Sequence, residues 1–303
     1  MKERMQASIF LPDFLPMRVL GMHSRETALP KMIQLDMEKS SKNRKLILVT
    51  NDDGVHSPGI KALLESMEDV GDAVVVAPDR ERSAVSHALT LHRPLRVERI
   101  RDNVYSVNGT PTDCVAIGAQ KILPRKPDLI VSGINRGANL GDDISYSGTV
   151  SAAIEGTIMG ISSLAFSLML EFPSGGAKGP DGPRHFETAG KYAAQVASFV
   201  LNNGLPYDTL LNVNVPNYPH EDVKGVRFTR QSKRVYDGSI QETRSPWGEL
   251  CYWIGGGTPI WERGPDTDMD TVMEGYVSIT PIHLDFTNNA AIDWLKGKWN
   301  GHA

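Results

Sequence analysis

At 303 residues the chain can form one large domain or about two of ordinary size. Its near-balanced formal charge of −4 excludes the concentrated basic surface of a nucleic-acid groove or membrane-binding patch, and no apolar run is long enough to span a bilayer. Two distant cysteines, Cys114 and Cys251, have no CxxC partner; this excludes a disulfide framework or thiolate metal site and fits a reducing, cytoplasmic setting.

Residues 1–44 combine scattered methionines, mixed charges and no sustained period. The apolar patch from Ile9 to Leu15 is broken by Pro12 and Asp13 and is too short and weakly flanked for a signal peptide. A poorly ordered N-terminal extension is expected. From Lys45 to Thr50 an apolar run reads as a buried strand, which Asn51-Asp52-Asp53-Gly54 then breaks. Ile60, Leu63, Leu64 and Met67 recur at helical spacing within Gly59 to Val70. Asp72 to Ala77 is a second strand, and Leu95–Glu98 with Val104–Val107 predicts a hairpin around Asp102-Asn103. Thr112 to Leu123 reads as helix, with Thr110 or Thr112 as cap and Pro111 in the first turn.

Leu129–Ser132 predicts a strand, Thr149–Met159 a small-residue helix and Ser163–Ser167 another strand. A Gly/Pro-rich loop from Glu171 to Arg184 precedes a helix over Glu187–Leu201 and a strand over Leu210–Val215. This βα alternation predicts a largely parallel sheet with helices on both faces. After Pro216 the pattern changes to short strand-like runs between Val226 and Gly257, a strand over Thr271–Thr280 and a short helix over Ile292–Trp299. Trp247, Tyr252, Trp253 and Trp261 in this tail suit either a subunit interface or packing on the core.

Loops leaving the carboxyl ends of parallel strands converge on one edge, where ligands bind. Four such loops carry most of the small polar residues: Asn51–Gly54, Ala77–His87, Asn108–Asp113 and Ser132–Thr149. Adjacent Asp52 and Asp53 repel unless a cation lies between them, and hard divalent cations take one or two carboxylates plus neutral oxygens and phosphate oxygens. Asp-Asp-Gly is also ordinary turn chemistry. Ser83 and Asn135 offer neutral oxygens, and Arg80 and Arg82 suit a phosphate clamp or a solvated loop. Ser147-Gly148-Thr149 opens a helix, which suits a phosphate or a plain N-cap. The spacing of Gly133, Gly137 and Gly141 is not the dinucleotide fingerprint, and neither a Walker A nor a GxSxG motif occurs. His56, His87 and His92 lack metal-ligand spacing and read as surface or packing residues.

Thr50–Gly54, Ala77–Arg80 with Arg82-Ser83, Gly109–Val115, Ser132–Asn135, Asn139–Asp143, Tyr146–Val150 and Ser278–Pro281, in that order, resemble the SurE family of stationary-phase survival proteins. The resemblance implies hydrolysis of nucleoside 5′-monophosphates. Hydrolysis of 3′-monophosphates or short polyphosphate stays open, as does a non-catalytic metal-and-nucleotide sensor. It implies one divalent cation per subunit, Mg²⁺ or Mn²⁺, held by Asp52, Asp53, Ser83 and Asn135. By the same resemblance Asp52, Asp53 and Asn135 would carry catalysis, and Asn139, Ser147, Gly148 and Thr149 would hold the phosphate. The implied fold is a Rossmann-like three-layer α/β/α core over residues 45–218 with a mostly parallel sheet. Residues 219–303 would form a C-terminal hairpin-and-helix oligomerisation part, with a strand returning to the core, giving a homodimer or homotetramer. No nucleic-acid polymer or membrane partner is implied. The extension 1–44 departs from the family pattern, which begins near the first strand.

Overall fold

Strand β1 (Leu46–Thr50) sends Ile47 and Val49 into one apolar core and Leu46 and Leu48 into another. A strand that is apolar on both faces must lie inside a sheet covered on both sides. The computed structural model describes residues 44–170, 182–235, 240–254, 260–262 and 264–299. The expected N-terminal extension, apart from Arg44, and loop residues 171–181 lie outside the described residues.

The remaining strands are β2 (Asp72–Pro78), β3 (Val97–Arg101), β4 (Val104–Val107), β5 (Leu129–Arg136), β6 (Ser163–Met169), β7 (Thr209–Pro216), β8 (Val226–Phe228), β9 (Arg234–Val235), β10 (Ile240–Arg244), β11 (Leu250–Ile254), β12 (Ile260–Trp261) and β13 (Val277–His283). Among the described residues, nine of these form one sheet in the order β3-β4-β2-β1-β5-β6-β7-β13-β8. All neighbours are parallel except β3 with β4 and β13 with β7. The chain leaves β1 toward β2 on one side and returns to β5 on the other, so the crevice at this reversal opens beside the end of β1.

Helices α1 (Pro58–Glu68) and α4 (Phe186–Asn203) cover one face, burying Ile60, Leu63, Met67, Ala193 and Val196. Helices α2 (Pro111–Ile117) and α3 (Gly148–Ile158) cover the other with Cys114, Val115 and Ala152. Three caps start helices directly after strand-end loops. The Ser57 hydroxyl accepts the Ile60 N–H, Thr110 forms a capping box with Asp113, and the Ser147 hydroxyl accepts the Val150 N–H.

The expected helix over Thr112–Leu123 is α2 followed by a π-helical turn over Gly118–Ile122. The expected strand over Thr271–Thr280 is corrected. Thr267 caps a short helix, α5 (Asp268–Met273), and Gly275 leaves it at φ +88° before β13 begins. Beyond the sheet, β10 and β11 pair as a hairpin whose Trp247, Tyr252 and Trp253 are exposed, while Trp261 of β12 is half-buried. The first three therefore do not pack on this chain's own core. Helix α6 (Asn289–Trp299) buries none of its residues. No described helix is long and apolar enough to cross a membrane.

Candidate active site

The loop after β1 is closed by an Asx turn. Asn51 Oδ1 accepts the Gly54 N–H at 3.2 Å, and its Nδ2 donates to Gly54 O and to Ser57 Oγ. Gly54 sits at φ +95°, where a Cβ would lie 3.0 Å from the Arg80 carbonyl carbon; conformation and space both demand glycine. This turn places Asp52 and Asp53 at the sheet's carboxyl edge. Asp52 is 4 % exposed and Asp53 half-buried.

Three segments distant in sequence converge on this pair. The Thr149 hydroxyl donates to Asp52 Oδ1 at 2.5 Å. The first turn of α3 lies so close that a Cβ on Gly148 would sit 2.8 Å from Asp52 Cβ. The loop after β2 is fastened over the site by the Arg82 N–H, which donates to Asp52 O at 2.7 Å. From the end of β5 the Arg136 N–H donates to Asp53 Oδ2 at 3.0 Å. Helix α1 enters next to β5, since a Cβ on Gly59 would lie 1.9 Å from Ile134 O.

Burial pushes the Asp52 carboxyl up from 3.8 to about 6; the Thr149 hydroxyl opposes the shift and the Asp53 charge adds to it. Asp53 is also raised, chiefly by burial, against the pull of the Arg136 N–H and guanidinium. Neither carboxylate forms an ion pair with a side chain among the described residues. Thr149 engages one oxygen of Asp52 and Arg136 one oxygen of Asp53, so each retains a second oxygen for a cation. Two carboxylates with raised proton affinity, supplemented by neutral oxygens, suit a hard divalent ion. No group of three His, Cys, Asp or Glu side chains that could hold a metal occurs among the described residues, so neutral ligands would have to complete the shell.

Asn135 donates its Nδ2 to Gly137 O at 2.9 Å, leaving Oδ1 as the candidate ligand. Ser83 lies on the exposed loop beside Arg82, and its hydroxyl donates to Glu81 Oε1 at 2.8 Å. The same backbone tie that anchors Arg82 therefore places Ser83 next to the Asp52 loop. Ser147 is the N-cap of α3, while Thr149 turns toward Asp52. Asn139 is 7 % exposed, and its Nδ2 donates to Ser167 Oγ at 2.7 Å. Arg80 and Arg82 each lie 3.6 Å from Asp79 Oδ1. His87 bonds Glu155 at 2.9 Å, and His56 and His92 are exposed.

Sequence reading missed Asn212 and Asn214. Both are fully buried on β7 and donate to Asn139 O, and Asn214 Oδ1 accepts the Asn139 N–H at 2.8 Å. The signal was present in Leu-Asn-Val-Asn-Val. Asn is disfavoured in strands, and two at a spacing of two share one face. Asp268 was also missed. Fully buried at the start of α5, it accepts N–H bonds from Gly141 and Ser232, tying the loop before α3 to the base of the C-terminal arm.

The family model described as "Survival protein SurE" matches residues 47–238. A relative from Geobacter sp. (strain M21), named 5′-nucleotidase SurE, is 53 % identical over 250 residues, spanning 82 % of this chain and 97 % of that protein. One of the same name from Pelobacter propionicus is 52 % identical over 246 residues, spanning 81 % and 96 %. The crystal structure of the Sure protein from Aquifex aeolicus superposes with a TM-score of 0.72 at 43 % identity, covering 84 % of this chain and 99 % of that one.

Proposed function

The chain belongs to the SurE family, and from that membership we propose that it is a 5′-nucleotidase, a metal-dependent phosphoric monoester hydrolase that converts nucleoside 5′-monophosphates to nucleoside and orthophosphate. The observation that carries the reading is the pair of buried Asp52 and half-buried Asp53 at the sheet's carboxyl edge, with the N-terminus of α3 set against Asp52.

Asp52, Asp53, Ser83 and Asn135 hold one divalent cation, Mg²⁺ or Mn²⁺. When bound, such an ion neutralises phosphate charge and lowers the pKa of a bound water. Thr149 fixes the Asp52 carboxylate and Arg136 fixes that of Asp53, which presets their free oxygens and reduces the ordering required on binding. Ser147, Gly148 and Thr149, at the positive end of α3, stabilise the equatorial phosphate oxygens as charge spreads in the transition state. Asn139 shapes the floor through its ties to Ser167, Asn212 and Asn214.

Residues 45–218 form the catalytic core and 219–303 an oligomerisation region of a cytoplasmic homodimer or homotetramer. The exposed hairpin aromatics and the unburied α6 support that division. The test is phosphate release from a panel of nucleoside monophosphates with Mn²⁺ or Mg²⁺, then with EDTA. Release that depends on metal and is lost in Asp52→Asn is expected. Full activity in that variant, or with EDTA present, would overturn the assignment.

A further inference from the structure

A recess of about 320 Å³ opens on the Asp53 side of the carboxylate pair, lined by Asp53, Asp79, Arg80, Glu81, Arg136 and Arg184 among others. Its volume lies in the range of small-molecule sites. The groups that attract anions divide between the two carboxylates. Thr149 and the start of α3 address Asp52, whereas the Arg136 and Arg184 guanidiniums act on Asp53. Arg80 on the same rim is paired with Asp79, and Glu81 accepts the Ser83 hydroxyl. The guanidiniums of Arg136 and Arg184 have no hydrogen-bond or ion-pair partner among the described residues. Two such guanidiniums lining one recess suit an anion, and the helix terminus assigned to the scissile phosphate lies against Asp52 instead.

Resting on the nucleotidase reading above, we propose that this recess receives the leaving nucleoside and that Arg184, with Arg136, binds a second phosphate on it, making nucleoside 3′,5′-bisphosphates preferred substrates. The reaction remains a simple hydrolysis. A water oxygen bonds to the 5′ phosphorus, the bond from phosphorus to the 5′ oxygen breaks, and that oxygen takes a proton. The 3′-phosphate is carried through into a nucleoside 3′-monophosphate. Arg184 is the informative position because Arg136 is bonded through its backbone to Asp53 and adjoins Asn135.

The experiment compares adenosine 5′-monophosphate with adenosine 3′,5′-bisphosphate, each with Mn²⁺, in the wild-type chain and in Arg184→Gln. Steady-state kinetics are paired with calorimetric binding of both nucleotides. A charge-assisted contact predicts a KM and Kd for the bisphosphate about ten- to a hundredfold lower than for the monophosphate. Arg184→Gln should erase that preference, weakening the bisphosphate about ten- to a hundredfold more than the monophosphate. Equal affinity for both nucleotides in the wild type would overturn the proposal. So would a variant that loses both substrates in the same proportion, because the guanidinium would then serve the scissile phosphate. A chain that releases no phosphate from the monophosphate fails the nucleotidase reading instead, and the calorimetric comparison still decides the recess.

Discussion

Gly148→Ala adds a single methyl group at the point where α3 meets Asp52. That carbon would lie 2.8 Å from Asp52 Cβ and 2.9 Å from its Oδ2, against an optimum of about 3.5–4.0 Å for carbon contacts. Either the first turn of α3 withdraws or the carboxylate rotates, by about 1 Å, and a misplacement of that size costs about a hundredfold in rate. Overpacking destabilises by about 1–3 kcal/mol, partly offset by the helical preference of Ala over Gly, worth about 0.5–1 kcal/mol.

Gly156→Ala provides the control, on the same helix but away from the site. Its methyl would lie 2.3 Å from Ser163 Oγ and 2.6 Å from Ile130 Cδ1, so it overpacks the core without touching the carboxylates. The assay is kcat/KM for a nucleoside monophosphate and a metal titration, each set against the unfolding midpoint. Gly148→Ala should lose activity and metal affinity far beyond its loss of stability, and Gly156→Ala should lose stability alone. Equal activity losses in the two variants, or a fully active Gly148→Ala, would refute the reasoning.

The Asp52 shift has a stability consequence in metal-free protein. A carboxyl whose folded pKa is about 6 against 3.8 for the model group binds its proton more tightly folded than unfolded, so its unfavourable contribution appears as pH rises from about 4 to about 6. Two pKa units correspond to roughly 3 kcal/mol. The stability gap between Asp52→Asn and wild type should therefore grow across that window by that order, and a divalent cation should close it; a gap independent of pH would contradict the account. Thr149→Val removes the hydroxyl that favours charged Asp52, so the acid limb of the rate profile should move up by about one pH unit, and an unmoved limb would mean that Asp52 does not control it. Asn214→Leu strips the Asn139 backbone N–H of its partner and should destabilise by about 1–3 kcal/mol while raising KM, measured by denaturant unfolding and steady-state kinetics.

The local sequence determined a good deal of this protein. Continuous apolar runs in Leu46–Thr50 and Asp72–Ala77 specified strands buried on both faces, and Thr110 and Ser147 marked helix starts, because runs and caps are written within a few residues. The acidic pair itself was legible for the same reason, since Asp52 and Asp53 are neighbours whatever the fold. The helix that opens Thr271–Thr280 was missed because its six residues are shorter than a periodic signal.

Tertiary structure alone decided which groups act on which carboxylate. Thr149 meets Asp52 across 97 residues, Asn214 supports Asn139 across 75, and Asp268 holds Gly141 across 127. No local pattern encodes such pairings. They arise because parallel strands bring their carboxyl ends to one edge, where burial favours partners for the polar groups. The same convergence buries both acids, which raises their proton affinity against the pull of the donors around them, and it sets Thr149 beside Asp52 and the recess lined by Arg136 and Arg184 beside Asp53.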